Sequence, residues 1–191
     1  YRNGAAQHVK AFQIHQDQIA RVVGGLIADE LSWRFQRHVD SLTVAAWTPE
    51  TELGESGIGL NEAEVDAVAQ CAARFFNVDG ETRIADWAGY IAGAVSRQLT
   101  TLRFTPAGRD SASEACAFAA DEVYRDAAAV ANLLYGRRRM ISLVAPHSLF
   151  GFAVTVLGPN LQRIPVVNAR GMAPEDLAET LAFGVVVVAS P

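Results

Sequence analysis

Leu102-Arg103-Phe104-Thr105-Pro106-Ala107-Gly108-Arg109-Asp110-Ser111-Ala112-Ser113-Glu114 is the stretch on which the reading of the whole chain turns. Residues 99–104 read as a strand, the small and polar residues after Phe104 as a loop, and the alanine-rich run 112–135 as a helix. A strand, a short loop and a helix in that order form a common seat for a phosphate, because backbone amides there face an anion. The residues suit that task poorly. Pro106 has no amide to donate, Asp110 and Glu114 bring carboxylates, and Gly108 is the one glycine.

Toward the C-terminus, short β-rich runs alternate with helical patterns. Strands are expected over 140–145, 164–168 and 185–189, with helices over 148–157 and 174–183. Pro174 fits the first turn of its helix, where Glu175 and Asp176 meet the favourable end of the macrodipole. Alternation of this kind implies βαβ units and a mostly parallel sheet.

Toward the N-terminus the pattern is helical. Over 9–35, Ile19, Val22, Val23, Leu26, Ile27 and Leu31 recur at helical spacing, interrupted by Gly24-Gly25, where a bend or a close helix contact is expected. Trp33, Phe35 and Trp47 are expected in the core of this half. A polar loop over 48–60 precedes a second helix over 61–76, with Asn61 as N-cap and Glu64 completing a capping box. Asp79-Gly80 reads as a turn, and a third helix is expected over 84–99 with Ile84, Trp87, Ile91 and Val95 on one face. The fold class is therefore α/β: a helical bundle over 1–97, followed by an incomplete, mostly parallel α/β subdomain over 98–191.

A net charge of −5 offers no general attraction to nucleic acid or to an anionic membrane. The apolar runs are too short to span a bilayer, so a soluble, cytoplasmic protein is expected, without nucleic-acid or membrane partners. Cys71 and Cys116 lack metal-ligand spacing and are expected as buried, reduced thiols. Lys10 is the sole lysine, so arginine supplies nearly all the positive charge.

Two resemblances add to these readings. The helical half resembles an acyl carrier protein, whose second helix begins with an Asp-Ser pair that carries phosphopantetheine. In Gly57-Ile58-Gly59-Leu60-Asn61-Glu62-Ala63-Glu64 the matching pair is Asn61-Glu62, so no hydroxyl is present to form the phosphodiester. The likeness is one of shape and not of chemistry.

The second half resembles the N-terminal portion of AMP-forming acyl-CoA and acyl-acyl carrier protein synthetases, the adenylate-forming superfamily. The likeness is carried by Arg138-Arg139-Met140-Ile141-Ser142-Leu143-Val144-Ala145-Pro146-His147-Ser148-Leu149-Phe150-Gly151-Phe152, a strand followed by a Pro-x-His-x-Tyr-Gly-Phe-type turn. Ile164-Pro165-Val166-Val167-Asn168-Ala169-Arg170 then matches the next strand. The resemblance implies that His147 borders an acyl-binding pocket and orients the substrate, with Phe150, Gly151 and Phe152 as pocket wall; plain roles in helix start and core are the competing reading. Ser148 lacks the setting of a nucleophile.

The family holds ATP phosphates with Thr-Ser-Gly-Ser-Thr-Gly-x-Pro-Lys. The matching positions put Thr105, Gly108, Arg109 and Ser111 at a degenerate phosphate loop in which Glu114 replaces the lysine. A hydrogen bond to a charged group contributes about 1.5–3 kcal/mol, and a unit charge at about 4 Å contributes roughly 1–4 kcal/mol. Losing the lysine and adding two carboxylates removes several such contributions, of which Arg109 can restore one. The family's adenine motif, ribose-binding aspartate and late catalytic lysine would fall beyond Pro191, and Lys10 does not replace the lysine.

The resulting expectation is a degenerate or truncated synthetase-like protein, non-catalytic alone and without a cofactor, that acts as a binding or scaffold partner in acyl or aromatic-acid metabolism. Its partner would be an acyl carrier protein, a synthetase, or a second copy paired through the exposed strand 185–189. The alternatives are the N-terminal fragment of an active ligase using ATP and Mg, and one half of a split enzyme.

Overall fold

In a computed structural model, residues 14–76, 84–96, 101–104 and 116–190 are described. Helix α1 (Gln16–Phe35) is the axis of the N-terminal part. Its apolar positions Ile19, Val22, Val23, Leu26, Ile27 and Leu31 are all buried, as their spacing requires. Helices α2 (Ser41–Ala46), α3 (Glu62–Phe76) and α4 (Ile84–Ser96) pack against it. The Gly24-Gly25 pair is a notch for close contacts. A Cβ on Gly24 would lie 3.3 Å from Val44 Cγ1, and one on Gly25 would lie 3.0 Å from Pro146 Cγ.

The start of α3 is fixed by reciprocal hydrogen bonds. The Glu64 amide donates to Asn61 Oδ1 at 3.0 Å, and the Asn61 amide donates to Glu64 Oε2 at 3.0 Å. Arg37 reaches the same Glu64 oxygen at 2.9 Å and also donates to the carbonyls of Ile58 and Gly59, tying the preceding loop to the cap. The capping role of Asn61 is thus part of a charged network that closes the long loop.

Not every aromatic expectation holds. Trp33 is 69% exposed and does not enter the core, whereas Phe35 and Trp47 are partly buried against it and Trp87 is almost wholly buried. Trp33 falls off the apolar stripe of α1, so the helical period outweighs side-chain size. Cys71 is buried but Cys116 is exposed, and no disulfide joins them.

Residues 116–119, expected within a helix over 112–135, also fold differently from their pattern. Strand β1 (Thr101–Phe104) pairs antiparallel with β2 (Cys116–Ala119), with Phe104 opposite Cys116 and Leu102 opposite Phe118. Helix α5 (Ala120–Leu133) starts only after β2. Alanine-rich Cys116–Ala119 has helical propensity, but ladder pairing and the edge contact of Phe118 with Phe104, ring centres 6.3 Å apart, win over it.

Three strands form a separate parallel sheet in the order β4-β3-β5: β3 (Arg139–Ser142), β4 (Val166–Asn168) and β5 (Val185–Val188). Between β3 and β4 the chain is helical from α6 (Leu149–Gly151) through a π-helical turn, Phe152–Leu157, into α7 (Gly158–Gln162). The helical path thus continues through Gly158-Pro159, beyond the 148–157 expected from the sequence pattern. Helix α8 (Pro174–Thr180) leads from β4 to β5. Val130, Leu134, Met140 and Val188 belong to the sheet's own apolar cluster, while Leu102, Phe104, Val123 and Phe152 share a cluster with α1, α3 and α4. The segments on the two sides of residue 97 therefore share a core.

Among the described residues, no helix is long and apolar enough to cross a membrane.

Candidate functional site

The chain leaves β3 toward β4, then returns past β3 to reach β5, so the direction of strand addition reverses. Ligands of open α/β sheets bind outside the carboxyl ends of strands at such a reversal. The turn after β3 carries His147, and the turn after β4 carries Arg170. Both side chains converge on one carboxylate, that of Asp29 in α1. His147 Nε2 lies 3.2 Å from Asp29 Oδ2, and an Arg170 Nη lies 3.0 Å from Asp29 Oδ1.

Local structure holds each partner in place. Ser148 caps α6 by accepting the Gly151 amide at 3.0 Å, while its hydroxyl donates to the Ala145 carbonyl at 2.8 Å. This closes the turn that carries Pro146 and His147, and it commits the Ser148 hydroxyl to structure. The Arg170 amide donates to Asn168 Oδ1 at 3.3 Å, which shapes the turn after β4. On α1, Arg21, Gly25 and Asp29 follow one another at a spacing of four and so share a stripe. Gly25 lets this stripe approach Pro146 and His147 closely, since a Cβ there would also lie 3.5 Å from His147 Nδ1.

Burial by itself would raise the pKa of Asp29. The hydrogen bond and charge of His147, followed by those of Arg170, outweigh it and hold the carboxyl below its ordinary value. Because the folded value is the lower one, this contact stabilises the fold above the usual carboxylate range. That contribution is lost as the pH falls through the folded value. The Asp29 side chain is 40% exposed, so solvent screens the pair and its contribution is modest.

At the other end of the stripe, an Arg21 Nη donates to the Thr155 carbonyl at 2.7 Å. Pro159, four residues beyond Thr155, has no N–H to offer that carbonyl, and the helix takes its π-helical turn just before it. Burial pushes the Arg21 guanidinium down to about 10, so it remains a cation at neutral pH. Among the described residues it has no acidic partner.

The residues expected from sequence are distributed unevenly. His147 is at the junction. Phe152 is fully buried, with its ring 5.6 Å from that of Phe104, Phe150 is 52% exposed, and Gly151 packs on the Ala145 carbonyl. These four share one turn but do not converge on one surface. Thr105, Gly108, Arg109 and Ser111 lie outside the described residues. Asp29, Arg21 and Arg170 were missed as site residues, although Arg21 and Asp29, each four residues from Gly25 on α1, were a usable signal. Among the described residues, no group of three or more His, Cys, Asp or Glu side chains is placed to hold a metal ion.

Known proteins offer no guide to this arrangement: no family model, no curated protein and no solved structure matches the chain.

Proposed function

We propose that this chain is an acyl-adenylate-synthetase-like protein that binds an organic acid or its acyl derivative and does not carry out adenylation on its own. The observation that carries this reading is the convergence of His147 and Arg170 at the carboxyl edge of the parallel sheet, on a carboxylate. An imidazole and a guanidinium directed at one carboxylate suit an acid headgroup.

The phosphate-loop sequence argues against nucleotide chemistry. Pro106, Asp110 and Glu114 occupy positions where amide donors, a hydroxyl and a cation would be needed. Adenylation is mainly phosphate positioning and charge neutralisation, so these changes act on the chemical step itself. Helices α1, α3 and α4 support a carrier-like bundle, and Asn61-Glu62 at the start of α3 leaves it without a serine for the phosphopantetheine arm. In this reading β5, at the sheet edge with Val187 partly exposed, is where a second copy, a carrier protein or an intact synthetase would pair.

Incubation with ATP, Mg and a panel of aliphatic and aromatic acids is expected to release no pyrophosphate above the enzyme-free rate. Acid-dependent pyrophosphate release would instead favour an active ATP-dependent acid-thiol ligase.

A further inference from the structure

We propose that His147 and Arg170 form a subsite for the carboxylate of a small organic acid and that Asp29 is its internal occupant, which an incoming acid must displace. The inference rests on the reading of this edge as an acid-binding site and adds to it a gate supplied by α1.

Three observations support the gate. The two donors come from consecutive turns of the parallel sheet, whereas the carboxylate between them comes from a different element, α1. Asp29 is only partly buried, so its carboxylate can leave for water without opening the core. The core-facing stripe of α1, including Ile27 and Leu31, is held independently of Asp29. With Asp29 withdrawn, the Arg170 guanidinium would be presented to a second anion at the junction.

The close approach permitted by Gly25 keeps Asp29 within reach of both donors. An attached competitor of this kind acts at a high effective concentration. The apparent affinity for a free acid falls in proportion to the fraction of molecules in which Asp29 is withdrawn.

The test is a calorimetric titration with hexanoate, using hexanamide as the uncharged control. Asp29→Asn keeps the side chain's size but removes the competing charge, and it is expected to bind hexanoate about tenfold more tightly than the unsubstituted protein, or better. Hexanamide should show no gain, and Asp29→Asn combined with Arg170→Gln should lose it. Equal hexanoate affinity with and without Asp29 would overturn the gate while leaving an acid site in place. No hexanoate binding to either form would overturn both. A gain that survives Arg170→Gln would also overturn the proposal. Should Asp29→Asn not fold, the carboxyl carbon signal of Asp29 in the unsubstituted protein serves as the readout. It is expected to shift as hexanoate is added, and an unmoved signal at saturation would overturn the proposal.

Discussion

Gly151→Ala is expected to destabilise the protein by about 3 kcal/mol, near the upper end of the usual cost of overpacking. The methyl group would run into the Ala145 carbonyl and would also lie 2.9 Å from Ser148 Oγ. Neither neighbour is a flexible side-chain tip. Relief requires the 145–148 turn to shift, and that turn carries His147. The urea midpoint should fall with little change in slope, and the histidine should be drawn away from Asp29 in the molecules that remain folded. Gly54→Ala is the natural control, because a Cβ there meets nothing within 4 Å. Its effect should stay within about 0.5 kcal/mol.

Phe152→Ala carries a comparable or larger expected cost, about 3–5 kcal/mol, from lost burial and the cavity left behind. Phe152 is fully buried at the start of the π-helical turn and meets Phe104 from the β1–β2 hairpin. It therefore joins the hairpin to the helical layer. Phe150, two residues away and largely exposed, gives the contrast. Phe150→Ala should change the denaturation midpoint little. If Phe152 mainly formed a pocket wall, its truncation would alter ligand binding while leaving the midpoint near its original value.

Periodic features were the legible part of the fold. The apolar stripe of α1, the Asn61–Glu64 cap and the alternation that yields β3, β4 and β5 are all encoded locally, within a few turns or a few strand residues. Contacts between distant segments were less legible. Cys116–Ala119 has the composition of a helix and becomes a strand because β1 is there to pair with it. Gly158-Pro159 has the form of a stop signal, yet Pro159 lies in the first turn of α7 and Arg21 meets the Thr155 carbonyl that Pro159 cannot serve. Trp33 is expected in the core with Phe35 and Trp47, and the phase of the helix puts it in solvent.

The candidate site divides along the same line. His147 stood out because it lies in a compact motif with Pro146 and Gly151. Asp29 and Arg170 lie 141 residues apart and meet only after α1 docks on the sheet edge, an outcome no local pattern contains. Gly25 is the local trace of that docking: a glycine in a helix interior costs about 1 kcal/mol relative to alanine, and the close approach of Pro146 accounts for its presence.

Isothermal titration with ATP and Mg is the most direct test of the proposal that this chain is synthetase-like in ancestry but lacks a working phosphate site. No binding heat is expected up to millimolar nucleotide, because Pro106, Asp110 and Glu114 stand where the phosphates would need amide donors, a hydroxyl and a cation. Saturable micromolar binding of ATP by this chain would contradict it.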